Sequence, residues 1–188
     1  TNGKSTTCKL LAHLLKKNKL TVSLGGNIGT PVLDLKISKK DYVIIEASSF
    51  QLSHSQFIQP NFSIFLNLTN DHLEWHGNMN NYLNSKLKIF KYQLKNHYAI
   101  VNKKFKKIFI KKKFSSKLLF PEIKKYKQIK FRINNNYLSN SINDENMAFI
   151  LALAKLLKIN EKSFIHSMNS FKGLPHRFET FFKRKELI

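Results

Sequence analysis

At 188 residues, 42% hydrophobic and 12% aromatic, the chain is long enough to bury one sizeable α/β core and too apolar to be intrinsically disordered. No apolar run approaches the roughly 20 residues of a membrane-spanning helix, and the single cysteine, Cys8, excludes a disulfide scaffold and fits a reducing, cytoplasmic location. Basic residues number 33 against 11 acids, a formal charge of +22, but only Arg132, Arg177 and Arg184 are arginines. Proteins that read nucleic acid lean on the bidentate arginine fork. The accompanying Lys/Asn/Ile/Phe bias points to A+T-rich coding, so no nucleic-acid partner is expected.

The first seven residues, Thr1-Asn2-Gly3-Lys4-Ser5-Thr6-Thr7, read as the G-K-[ST] end of a phosphate-binding loop. Glycine permits close backbone approach to a phosphate, lysine brings a mobile charge to the β/γ-phosphates, and a hydroxyl ligates Mg²⁺. The helix that follows points its N-terminal N–H groups at the anion. In a lysine-rich chain such a triplet is a short signal, and it requires a metal-holding carboxylate and a nucleotide-base site downstream. Residues 5–18 carry Leu10, Leu11, Leu14 and Leu15 at the spacing of an amphipathic helix. A strand over residues 21–24 then runs into the glycine-rich turn Gly25-Gly26-Asn27-Ile28-Gly29-Thr30-Pro31, with Pro31 suited to open a short helix.

Asp41-Tyr42-Val43-Ile44-Ile45-Glu46 reads as a central parallel strand with an acid at its C-terminal edge, where a Mg²⁺-holding carboxylate sits beside a phosphate loop. A second buried strand over residues 61–69 ends in Asn70-Asp71-His72, which brings His72 to the same sheet edge as Glu46. A helix follows over residues 80–94, with Tyr82, Leu83, Leu87, Ile89 and Phe90 as its apolar stripe and Lys86 on the same segment. By spacing alone, Lys86 is one surface lysine among many. After a short strand over residues 98–102, the run 103–117 reads as a solvated surface segment. Strand-like pieces at 118–120 and 128–133 suggest a small peripheral sheet. Helices over 147–157 and 161–170 follow, and a terminal strand runs to Ile188. Asn143 and Asn146 share one helical face, placed either to cap the helix or to address a common ligand.

Taken together these motifs resemble one family, the Mur ligases of peptidoglycan synthesis. The carriers are TNGKST at residues 1–6, GGNIGTP at 25–31, EASSFQL at 46–52, NDHLEWHG at 70–77, SKLKIF at 85–90, the Asn143/Asn146 pair and GLPHRFE at 173–179. TNGKS and the histidine motif are shared with folylpolyglutamate synthases. SSFQL with GLPHRFE resembles the member that adds D-glutamate to UDP-N-acetylmuramoyl-L-alanine.

The resemblance implies an α/β fold, with a P-loop-type, mostly parallel sheet flanked by helices. Residues 1–175 would form the central ATP-binding domain with its front edge missing, and 176–188 the start of a further ligase domain. It also implies a cytoplasmic, monomeric ligase that uses ATP and Mg²⁺ at two sites. The nucleotide would be held by Asn2, Gly3, Lys4, Ser5, Thr6, Asn143, Asn146 and Arg177. The metals would be held by Ser5, Glu46, His72 and a carbamylated Lys86; Lys4, His72 and Lys86 would carry the catalysis. Asn27, Ser48, Gln51 and His72 would line the path of the UDP-linked substrate. Ile142 stands where the family often has a histidine on the adenine side. Other Mur-type or folylpolyglutamate-type ligases, a basic nucleic-acid-binding fragment, and a fragment that binds ATP without catalysis remain the alternative readings. The 188-residue chain alone is expected not to turn over.

Overall fold

A computed structural model describes residues 2–174. The expected α/β class is found: parallel sheets are flanked by helices. The first helix, α1 (Lys4–Lys17), buries Leu10, Leu14 and Leu15, the stripe its periodicity predicts. β1 (Val22–Gly26) pairs in parallel with β2 (Tyr42–Glu46), aligning Gly26 with Glu46. A 3₁₀ turn, Val32–Asp34, lies between them with Pro31 at its N-cap. Beyond β2 come α2 (Ser49–His54), β3 (Phe62–Phe65), α3 (Leu73–His76), α4 (Met79–Lys91) and β4 (Tyr98–Val101). The remainder is α5 (Lys106–Lys112), β5 (Lys117–Leu119), α6 (Ile123–Lys130), α7 (Asn136–Ser139), α8 (Asp144–Leu156) and α9 (Glu161–Asn169).

The largest core cluster is helical, with Leu10 and Leu14 of α1 packed among Met147, Phe149, Ile150 and Leu153 of α8 and Phe164 and Met168 of α9. A second cluster forms where Phe90 of α4 and Phe109 of α5 close over Phe65, Ala99 and Val101 of the sheet.

Three expectations are corrected. No peripheral sheet forms among the described residues: β5 joins β4 in parallel, in the order β3-β4-β5. Residues 128–133 are not a strand, because Tyr126, Ile129 and Ile133 recur at helical spacing and are buried in the helical core. The lysine-rich stretch 103–117 is not purely surface, since Phe109 of α5 is fully buried. The expected terminal strand lies outside the described residues.

The strand of Glu46, expected to be central, has strand pairing on one side among the described residues. There β2 has a single neighbour, β1, and β3 has a single neighbour, β4. Between β2 and β3 lies a cavity of about 800 Å³, lined along the length of both strands and bounded by Leu11 of α1, Ile89 of α4 and Leu153 of α8. The consequence is unusual exposure for a parallel strand, with Val43 39% and Ile45 42% accessible.

Candidate nucleotide and metal site

The loop leading into α1 is shaped by Gly3, which caps the helix at φ 86°. This left-handed backbone suits glycine, and a Cβ here would also lie 2.5 Å from Asn146 Oδ1. The Thr7 amide donates to the Gly3 carbonyl (2.9 Å), closing the first turn. No acid occupies that turn, so the positive end of the helix dipole is left for an anionic ligand. Asn67, just beyond β3, donates from Nδ2 to the Asn2 carbonyl (2.9 Å) and so ties the loop to the sheet. Ser5 is half-buried, while Thr6 and Thr7 are buried.

Glu46 ends β2 nearly fully buried. Asn27 grips it twice: its backbone N–H donates to the Glu46 carbonyl (2.8 Å) and its Nδ2 to Oε1 (3.1 Å). Gly26 permits this approach, because a Cβ there would meet the Glu46 carbonyl oxygen at 2.4 Å. The second carboxylate oxygen, Oε2, is buried with no hydrogen-bond partner among the described residues. Lys4, Glu46 and Lys86 line the same cavity. Burial pushes the Lys86 ammonium down to about 8, and the charge of Lys4 adds to the fall. Its Nζ lies 4.6 Å from the centre of the Tyr82 ring.

His72 caps α3 in a left-handed conformation, φ 54°, with Nε2 3.5 Å from Asp71 Oδ2 and its ring 4.8 Å from that of Phe50. A positive φ at a non-glycine residue marks a position that its surroundings hold in place. Ser48 and Gln51 form a reciprocal capping box at the start of α2: the Gln51 amide donates to Ser48 Oγ (3.2 Å) and the Ser48 amide to Gln51 Oε1 (2.9 Å). Their side chains thus have a helix-capping task of their own.

The two asparagines meet different partners. Asn143 is buried and donates from Nδ2 to the Tyr137 carbonyl (2.8 Å). Asn146 instead faces the phosphate loop, where Thr7 Oγ1 donates to its Oδ1 (3.4 Å). Arg177 lies outside the described residues. Sequence reasoning passed over Asn67 and Asn102, both polar residues at the end of apolar strand runs. Asn102 donates from Nδ2 to the Leu66 carbonyl (2.9 Å) and to Glu145 Oε1 (2.6 Å), docking the first turn of α8, and with it Asn146, onto the sheet edge.

Among the described residues, no three His, Cys, Asp or Glu side chains gather as a ready metal cage. The donor set fits a hard cation of another kind. Mg²⁺ keeps several waters and takes one or two carboxylates together with substrate phosphates. The buried, unpartnered Oε2 of Glu46, a residue that lines the cavity together with Lys4, is a donor of that type.

Residues 1–160 match the family model of the Mur ligase middle domain. The UDP-N-acetylmuramoylalanine–D-glutamate ligase of Rickettsia bellii (strain RML369-C) is 37% identical over 95% of this chain and 45% of its own length. The enzyme of the same name from Prochlorococcus marinus (strain MIT 9312) is 34% identical over 100% of this chain and 44% of its own. The chain therefore spans less than half the length of these curated relatives. In fold it is similar to MurF from Acinetobacter baumannii, with TM-score 0.71 and 17% identity over 97% of this chain and 47% of that one. It is also similar to the MurF ligase of Thermotoga maritima in complex with ADP, with TM-score 0.67 and 22% identity over 95% of this chain and 48% of that one. On the strength of the family model and these relatives, the chain belongs to the Mur ligase family and carries its middle domain.

Proposed function

We propose that this chain is the ATP-binding domain of a ligase that joins D-glutamate to UDP-N-acetylmuramoyl-L-alanine in peptidoglycan synthesis. The observation that carries the reading is the left-handed Gly3-Lys4 turn that opens α1, together with the buried Glu46 carboxylate, one of whose oxygens has no hydrogen-bond partner among the described residues, and a half-buried Lys86 that feels the Lys4 charge. The names of the curated relatives supply the substrates, and the ADP in complex with the Thermotoga maritima ligase supports ATP as the phosphoryl donor.

In this reading the substrate carboxylate attacks the γ-phosphorus of ATP and ADP leaves, giving an acyl phosphate. The amine of D-glutamate then attacks the acyl carbon, the C–O bond to phosphate breaks, and the amine loses a proton. The protein's part is positioning and charge neutralisation. Lys4 and the N–H groups of the first turn of α1 hold the β/γ-phosphates, and Asn143 and Asn146 stand at the adenine end. Ser5 and Glu46 would hold a first Mg²⁺, and His72 and a carbamylated Lys86 a second; the chemistry supplied there would be neutralisation of charge on the transferring phosphoryl group. Asn27, Ser48 and Gln51 face the path of the UDP-linked substrate, and Arg177 reaches the nucleotide from the domain junction.

The cavity between β2 and β3 also supports the domain assignment. Two parallel half-sheets, each with an unpaired edge lining one apolar slot, fit one further parallel strand supplied by polypeptide outside residues 2–174. Hydrogen exchange tests this. In a chain cut to residues 2–174 the outward amides of β2 and β3 should exchange rapidly, and in a chain that carries the strand they should be protected. Equal exchange in both chains would rule the strand out.

The reaction itself is tested with the full-length protein, offering D-glutamate, meso-diaminopimelate, lysine and tetrahydrofolate in parallel with ATP and the cognate acceptor. D-Glutamate alone should be ligated. Turnover with any other amine, or with tetrahydrofolate, would replace this reading by that of another Mur-type or folylpolyglutamate-type enzyme.

A further inference from the structure

His76 carries no role in the reaction as proposed, yet it joins the elements that do. It ends α3 and is 6% exposed. Its ring stacks on Phe50 (5.6 Å, 18°) and lies 4.5 Å from Trp75 and 4.9 Å from Tyr82, centre to centre. An apolar side chain of similar shape would satisfy those contacts. What it could not supply is the hydrogen bond that His76 Nε2 shares with Ser49 Oγ at 3.0 Å, both residues being buried.

That bond spans two elements. Ser49 opens α2 directly after Ser48, the capping residue paired with Gln51. One turn before His76 stands His72, whose carbonyl accepts the His76 backbone N–H (3.1 Å). The His76 carbonyl in turn accepts Asn81 Nδ2 (3.1 Å), at the start of the helix that carries Tyr82 and Lys86. The Lys88 ammonium donates to the Ser53 carbonyl and closes the far end of the same α2–α4 contact. Phe50 packs between the two histidine rings.

We propose that His76 is a positioning residue: through Ser49 it sets the first turn of α2, with Ser48 and Gln51, against His72 and Lys86. The inference deepens the proposed function and rests on its placement of His72 at a metal. Residues behind a metal ligand change metal affinity about 10–100-fold when removed, and His76 reaches His72 through the backbone bond and through the Phe50 and Tyr82 rings that both histidines touch.

The test uses the full-length protein with its histidine rings followed by NMR, Mn²⁺ as the metal probe, and ATP binding by calorimetry. His76→Phe keeps the ring and deletes the hydrogen bond. Ser49→Ala deletes the same bond from the other side with little change in volume, and so serves if His76→Phe does not fold. Both should shift the His72 ring resonance and weaken its broadening by Mn²⁺ about tenfold, while ATP affinity stays within about twofold. His76→Gln, which can still reach Ser49, should recover most of the loss. Wild-type His72 resonances and Mn²⁺ response in the bond-deleting variants would overturn the inference, as would a His76→Gln variant no better than His76→Phe. If Mn²⁺ leaves His72 untouched in the wild type, the metal reading fails. The ligand-free resonances of His72, Ser48 and Gln51 then decide the positioning role: displaced in both variants they support it, unmoved they overturn it.

Discussion

Under the proposed function, replacing Lys86 with alanine in the full-length protein is expected to lower turnover about 10²–10³-fold, with partial recovery on adding short carboxylates such as formate or acetate. The expectation starts from the amine. Burial, aided by Lys4, lowers its pKa from 10.5 to about 8, so near pH 8 about half of the Lys86 population is the neutral amine. Only that form has the lone pair that adds to CO₂. In the proposed carbamylation a C–N bond would form, a proton would be released, and a cation would become a carboxylate-like oxygen ligand suited to Mg²⁺. Carbamylation should therefore grow as pH rises through about 8, and bicarbonate should help most below it. Wild-type turnover in Lys86→Ala would remove this side chain from the metal site. The stability sign follows from the same shift. Because the folded-state pKa is depressed, the unfolded chain holds more protons between about pH 8 and 10.5, so this group's contribution to stability improves with rising pH across that window.

Glu46→Gln should separate the two jobs of that carboxyl group. The amide keeps an oxygen for the bond from Asn27 Nδ2, and the grip of the Asn27 backbone on the Glu46 carbonyl does not involve the side chain. The fold should therefore survive, with an unchanged circular dichroism spectrum. The substitution removes a negative charge and leaves an amide N–H₂ where Oε2 stood without a hydrogen-bond partner. Mg²⁺-dependent ATP binding should fall on the order of 10²-fold, while metal-free ATP binding, which the proposed function assigns to Lys4 and the loop, should change by less than about threefold. Calorimetry with and without Mg²⁺ measures both. Equal Mg²⁺ enhancement in variant and wild type would move the first metal away from Glu46.

These two residues also show where sequence reasoning succeeds and where it stops. Glu46 was legible because four apolar residues ending in an acid describe a buried parallel strand with its carboxylate at the sheet edge. Its partner Asn27 was legible only as part of a glycine-rich turn, since the bond between them joins residues 19 positions apart. Lys86 had no local mark among so many lysines; its lowered pKa comes from burial and from Lys4, which the fold alone brings near. The alternation of Ile129, Phe131 and Ile133 imitated a strand, but in the structure Phe131 is 83% exposed and the helical register of Tyr126, Ile129 and Ile133 fills the core.

By itself the sequence determined which segments are helix or strand wherever the apolar period was long, as in α1, α4 and α8. It also determined the order of the motifs that identify the family and the end of β2 at which Glu46 stands. Those are local properties, written in spacing and residue type. Tertiary structure alone decided that Asn146 faces the phosphate loop while Asn143 turns to Tyr137, that β5 completes the β3-β4 sheet, and that β2 and β3 line an unfilled slot. It alone decided that His76 bridges α2 to α3. Each of these depends on which partner a side chain or strand edge meets far along the chain, and local periodicity holds no record of that choice.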